Sequence, residues 1–183
     1  MSHFLHYSGE GVTFDVNVKD DHGDTPLHEA CICGNLPILK ELLNQGAKID
    51  IKNADEEISL HIACKKGFGT IVHEILCRGN NQREKLLEAR DKESNSPLHL
   101  AVESGDVETV KVLLQFEANP SMSNDAKVVP MHIAAARGYM DIAEKLLEYD
   151  KDCKDCLDTQ QQSPLHYAAR ANQVAMINFL LSE

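Results

Sequence analysis

A near-identical tetrapeptide recurs five times along this chain, and no other feature restricts the possible folds so severely. Thr25-Pro26-Leu27-His28 returns as Ile58-Ser59-Leu60-His61, Ser96-Pro97-Leu98-His99, Val129-Pro130-Met131-His132 and Ser163-Pro164-Leu165-His166. The histidines step by 33, 38, 33 and 34 residues. One variable residue later comes a small pair: Ala30-Cys31, Ala63-Cys64, Ala101-Val102, Ala134-Ala135 and Ala168-Ala169. Gly34, Gly67, Gly105 and Gly138 follow, with Asn172 in the fifth copy. A second apolar segment then closes on Leu42-Leu43, Ile75-Leu76, Leu113-Leu114, Leu146-Leu147 or Leu180-Leu181. Self-similarity at such a period is the mark of a repeat architecture.

Each part of the unit has a mechanical reason. Ser or Thr ahead of Pro suits a helix start, because the hydroxyl can cap and Pro needs no N–H in the first turn. The small pair lets a short first helix approach its neighbours closely. Gly, or Asn, ends that helix in a left-handed conformation. A second helix runs back antiparallel, and a polar connector such as Asn44 to Glu57 leads onward. A single copy cannot bury its own apolar face, so stability must come from stacking.

The unit resembles the ankyrin repeat, about 33 residues with a Thr-Pro-Leu-His signature. The resemblance covers residues 15–183 as five repeats, at about 24–57, 58–94, 95–127, 128–161 and 162–183, with 1–14 as an N-terminal segment or cap. It implies an all-α solenoid of stacked helix-turn-helix units, with β-hairpin connectors projecting sideways. It also implies a concave face built from first helices and hairpin tips. Only the first tip keeps the family's glycine, Gly23; Glu56, Ser94, Lys127 and Gln161 stand at the matching positions. Those four are expected to make less regular hairpins or to hold non-Gly residues in costly conformations. The second repeat carries a surplus around Asn80 to Glu88, expected as a longer second helix or an extra turn.

Composition narrows the function classes. With 18 Lys and Arg against 29 Asp and Glu, the formal charge is −11, which disfavours binding to a phosphate backbone and favours basic partners. Trp is absent and Tyr and Phe are few, so base-stacking platforms are not expected. No stretch approaches the roughly 20 apolar residues of a membrane span. The start, Met1 to Tyr7, lacks the form of a signal peptide. A cytoplasmic setting and reduced cysteines are therefore expected. Cys31, Cys64 and Cys77 fall in apolar helical stretches and read as small hydrophobes.

No cofactor, metal site or enzyme activity is expected. The five histidines recur once per unit, about 10 Å apart on the usual spacing of packed helices, too far to share an ion. They read as hydrogen-bonders tying each first helix to a neighbouring hairpin. Cys153-Lys154-Asp155-Cys156 lacks a second ligand pair, so it reads as accessible thiols on a polar connector. Asp150, Asp152, Asp155 and Asp158 miss the Gly and Glu of a calcium loop, so they read as a solvated acidic edge. Gly9-Glu10-Gly11 lacks a following Lys-Ser or Lys-Thr and is no phosphate loop.

Recognition is placed by the resemblance on hairpin tips and exposed first-helix positions. The candidates are Asp21, His22, Asp55, Glu56, Lys92, Glu93, Asp125 and Gln160 at tips, and Lys65, Lys66, Glu103, Arg137 and Arg170 on first helices. Lys65 and Lys66, with Arg78, Arg83 and Lys85 near in sequence, make the second repeat the most basic part of an acidic chain. The expected function is a cytosolic protein-interaction module, a scaffold, adaptor or inhibitor cut from a longer array and monomeric in isolation. A rival expectation follows from the enlarged second repeat, scattered cysteines and unfinished end. These resemble a portion of the cytoplasmic ankyrin domain of transient receptor potential ankyrin-type channels.

Overall fold

A computed structural model describes residues 14–182. The expected cap over residues 1–14 lies, apart from Phe14, outside the described residues. Five helix pairs follow one another: α1 (Pro26–Ile32) with α2 (Leu36–Asn44), α3 (Ser59–Lys65) with α4 (Gly69–Arg78), and α6 (Pro97–Ser104) with α7 (Val107–Gln115). Then come α8 (Pro130–Arg137) with α9 (Met140–Tyr149), and α10 (Pro164–Arg170) with α11 (Val174–Ser182). The surplus of the second repeat forms a 3-10 turn, Asn80–Gln82, and a short extra helix, α5 (Arg83–Leu87).

First helices pack on first helices in the order α1, α3, α6, α8, α10, and second helices on second helices in the order α2, α4, α7, α9. The core is therefore a continuous seam. Leu60, Ile75, Leu98, Leu113, Met131 and Leu146 are each 0–1% exposed along it. The small pairs permit the close approach: Ala63, Ala101, Ala134 and Ala168 are fully buried between neighbours.

The turn between paired helices depends on the left-handed residue. Gly105 has φ +78°, and a Cβ there would meet the Tyr139 ring of the next repeat at 2.9 Å, so both backbone and space demand glycine. Asn172 takes φ +57° at the equivalent place in the fifth repeat.

The expected β-hairpin connectors are corrected: they are tight turns, and among the described residues no strand is formed, because each connector is closed by turn bonds and not by a paired ladder. Each connector holds only a two-bond turn, as in Asp20 N–H to Asp24 O and Gly23 N–H to Asp20 O. Glu56, Ser94, Lys127 and Gln161 do sit at positive φ, between +57° and +61°, as their departure from glycine implied.

Three expectations about local burial are corrected. Cys77 is exposed, because it lies on the outer side of α4, away from the seam that buries Cys31 and Cys64. Cys153 is buried and Cys156 half-buried, since the 3-10 turn Lys151–Lys154 folds beneath α9 and α8 and does not stand off as a polar loop. Asp158 is also buried, held by the connector that it staples.

Candidate protein-interaction surface

The signature histidines form the frame under the surface. In His28, His61, His99 and His132, Nδ1 accepts the backbone N–H three residues earlier, at 3.1–3.2 Å. An amide N–H can only donate, so Nδ1 is unprotonated and the proton sits on Nε2. Nε2–H then donates to carbonyls of the connector that leads into the next repeat: Glu57 at 3.2 Å, Ala89 at 3.1 Å, Val128 at 2.9 Å and Gln162 at 3.0 Å. The hydroxyls of Thr25 and Ser96 engage the same Nδ1 at 2.8 Å, so they orient the ring and do not cap the helix. Ile58 and Val129 have no hydroxyl, so Nδ1 of His61 and of His132 accepts the backbone N–H alone. Burial pushes all four imidazoles below their usual pKa, His61 and His99 to about 4.

A second periodic device fixes the tips. Asp20, Asn53, Asp91, Asn124 and Asp158 occupy equivalent positions. In each, Oδ1 accepts the N–H groups two and four residues onward, at 2.8–3.0 Å. Such Asx turns hold a short loop without strands. Although burial pushes the Asp158 carboxyl up, the N–H groups of Gln162 and Gln160 and the Tyr167 hydroxyl hold it below its usual range. Neighbouring tips join through single bonds: Ala54 N–H to His22 O, Lys92 N–H to Asp55 O, and Thr159 N–H to Ala126 O, each at 2.9 Å.

A third row lies beneath. Lys19, Lys52 and Arg90 reach forward to the connector carbonyls of Lys52, Arg90 and Ser123, at 2.7–2.8 Å. These cations and the Asx residues escaped the expectations above. Their signal is plain once the copies are aligned, at fixed offsets before the tetrapeptide.

On this frame all the candidate residues are exposed: Asp21, His22, Asp55, Glu56, Lys65, Lys66, Lys92, Glu93, Glu103, Asp125, Arg137, Gln160 and Arg170. The tips carry mostly carboxylates. Among first helices, Lys65 pairs with Glu57 at 3.2 Å, which raises its pKa, and Arg137 lies 3.7 Å from Glu103 of the preceding repeat. Arg170 bonds Gln162 and lies over the Tyr167 ring at 5.1 Å.

The basic residues of the second repeat are not brought into one patch. Arg78 pairs with Glu74, Lys85 with Asp50, and Arg83 lies over Phe116 on the second-helix side. Lys66 has no ion pair among the described residues.

Asp20, Asp24 and Glu29 place carboxylate oxygens within 4.8 Å of one another. Asp20 accepts turn N–H groups and Asp24 accepts from Asn53 Nδ2, so two of the three are engaged in stapling the connector.

A family model for ankyrin repeats, three copies long, matches the chain at residues 3–53, 34–124, 60–154 and 98–183. The chain belongs to the ankyrin-repeat family. The array is 27% identical over 177 residues to transient receptor potential cation channel subfamily A member 1 of Drosophila melanogaster, covering 92% of this chain and 15% of that protein. It is 30% identical over 168 residues to the Caenorhabditis elegans homolog, covering 92% of the chain and 13% of the relative. Human B-cell lymphoma 3 protein is 29% identical over 166 residues, covering 86% and 35%. The ankyrin array thus spans well under half the length of these relatives. Among the described residues no helix is long and apolar enough to cross a membrane.

Proposed function

We propose that the array is a cytoplasmic protein-recognition segment that reads a basic partner with its connector tips and first helices. One observation carries this reading. The Asx turns, tip-to-tip bonds and forward-reaching cations fix the connectors, while Asp21, Asp55, Glu93 and Asp125 remain exposed at successive tips. A row of anions on a rigid scaffold needs little ordering on binding, so more of the interaction energy is available as affinity. Their repulsion of other anions agrees with the −11 formal charge. The test is capture of partners by the chain and by an Asp21→Lys, Glu93→Lys, Asp125→Lys variant, with the unfolding midpoint as the fold control. Equal capture by both, at equal stability, would contradict the reading.

A second reading is favoured by the relatives: the array is part of the cytoplasmic arm of a transient receptor potential ankyrin-type channel. The fly and worm channel proteins align with 92% of it. On this reading the segment conducts nothing itself and passes assembly contacts or force to a pore elsewhere in the polypeptide. Sequencing the transcript downstream of the Glu183 codon tests it. Further repeats and then a block of apolar spans are expected, and an immediate stop codon would oppose it.

A further inference from the structure

The surplus of the second repeat walls a cavity of about 490 Å³ against the end of α7, in the interior of the array. Its lining is mixed. The buried Leu87 and the half-buried Phe116 supply apolar surface. Glu84, Glu88 and Glu117 line the same space, are exposed, and make no ion pair among the described residues. Arg83, the cation of the lining, is already engaged: its Nε donates to the Leu76 carbonyl at 3.2 Å and its guanidinium lies over the Phe116 ring at 4.8 Å. Two helices end here as well. Asn80 follows the α4 C-cap, Gly79, and Phe116 is the C-cap of α7. The negative ends of their dipoles add to the carboxylates, so the space favours a cation.

The backbone singles out the same place. Seven non-glycine residues among those described have positive φ. Four hold the equivalent connector position, and Asn172 ends a first helix. The remaining two, Asn80 at +38° and Glu117 at +69°, both line this cavity. Glu117 stands where the first repeat has Gly46, at φ +85°. A glutamate there costs strain that glycine avoids, so its carboxylate is held at the rim against the backbone preference.

The size of the cation follows from the spacing of the carboxylates. Calcium draws its oxygens to within about 2.6 Å of one centre. Among the described residues only Asp20, Asp24 and Glu29 bring three such ligand atoms within 4.8 Å of one another, so the three glutamates do not converge on one small ion. They flank an elongated space beside apolar surface. We propose that this cavity binds an alkylammonium, with its carbon chain against Leu87 and Phe116 and its nitrogen among the glutamates. A free polyamine and a lysine side chain of a partner present that same chemistry. The site is separate from the connector tips and does not depend on what they bind.

Titration of the 183-residue chain, followed by amide NMR shifts, tests this with spermidine and with the blocked peptide Ala-Ala-Lys-Ala-Ala. The amides of Asn81, Glu88 and Glu117 should shift and saturate with a dissociation constant of about 1 mM or below. Tighter binding of spermidine assigns the site to a free polyamine, and tighter binding of the peptide assigns it to a lysine side chain. Glu117→Gly should weaken binding roughly threefold to fivefold, the worth of one exposed ion pair, while its urea midpoint holds or rises as the strain is relieved. Glu88→Gln, which leaves the backbone alone, should weaken it to a similar degree. Glu144→Gln removes the same charge from an exposed position on α9 and should change nothing. Shifts spread over Asp21, Asp55 and other acidic positions without saturation at the cavity would overturn the proposal. So would an equal loss in Glu144→Gln, because it would mean that net charge alone attracts the amine.

Discussion

Ser59 departs from the pattern in a way that can be converted into stability. Four of the five tetrapeptides place Pro at the first helical position, and the second places Ser59. Ser59 is 1% exposed, and its buried hydroxyl has no hydrogen-bond partner among the described residues. The backbone already suits proline: Ile58 has ψ 164°, beside 165°, 165°, 161° and 168° at Thr25, Ser96, Val129 and Ser163, which all precede prolines. Val129 shows that a β-branched residue is tolerated there. Proline narrows the unfolded ensemble by about 0.4–1 kcal/mol. Removing an orphaned buried hydroxyl relieves about 1–3 kcal/mol. Tighter packing of the ring takes some of this back. Ser59→Pro should therefore stabilise by about 1–2 kcal/mol, raising the urea midpoint by roughly 0.5–1 M. Ser59→Ala isolates the hydroxyl and should give a smaller rise. A midpoint lowered by both substitutions would refute the reasoning, since it would mean the hydroxyl has a partner in solution.

Four further outcomes are expected. His61 and His99 have folded pKa values of about 4 against 6.5, so the unfolded chain binds protons first. Their stability contribution is present above pH 6.5 and is lost as pH falls towards 4. Between pH 6.5 and 5 each ring should lose on the order of 1–2 kcal/mol in urea titrations, and a pH-independent midpoint would contradict the burial argument. Ser94→Gly, Lys127→Gly and Gln161→Gly combined should stabilise by roughly 2 kcal/mol, because each relieves about 1–2 kcal/mol of left-handed strain and returns about 0.4–1 kcal/mol in chain entropy. An unchanged midpoint would mean that the strain is absent. Under native conditions an alkylating reagent should label Cys33 and Cys77 and spare Cys31, Cys64 and Cys153, whose thiols are buried and raised in pKa; mass spectrometry reads this directly. Lys66→Glu should alter partner binding more than Lys65→Glu, since Lys65 is already paired with Glu57; equal effects in a binding assay would count against the assignment.

Much of the fold was legible because its determinants repeat in register. The histidine bonds, the left-handed residues after each first helix and the extra turn of the second repeat all follow from residue type and spacing. Errors arose where the repeat is interrupted. Cys153 stands in a connector that composition alone marks as polar, yet the 3-10 turn tucks it inward. Cys77 falls in an apolar stretch, but its place on the helix faces outward. The Asx staples recur in every copy yet lie outside the conspicuous tetrapeptide, and the forward-reaching cations recur in only three. The surface was legible as a set of exposed positions. Which positions matter depends on ion pairs such as Arg137 with Glu103, and those join residues 34 apart that local sequence does not associate.

The central claim is that each unit is held by its neighbours, so protection should follow position in the stack. Native-state hydrogen exchange measures this amide by amide. The helices of the second to fourth pairs, α3, α4, α6, α7, α8 and α9, should exchange most slowly, with α1, α2 and α11 opening first. Uniform protection from α1 to α11, as in one globular core, would contradict the account.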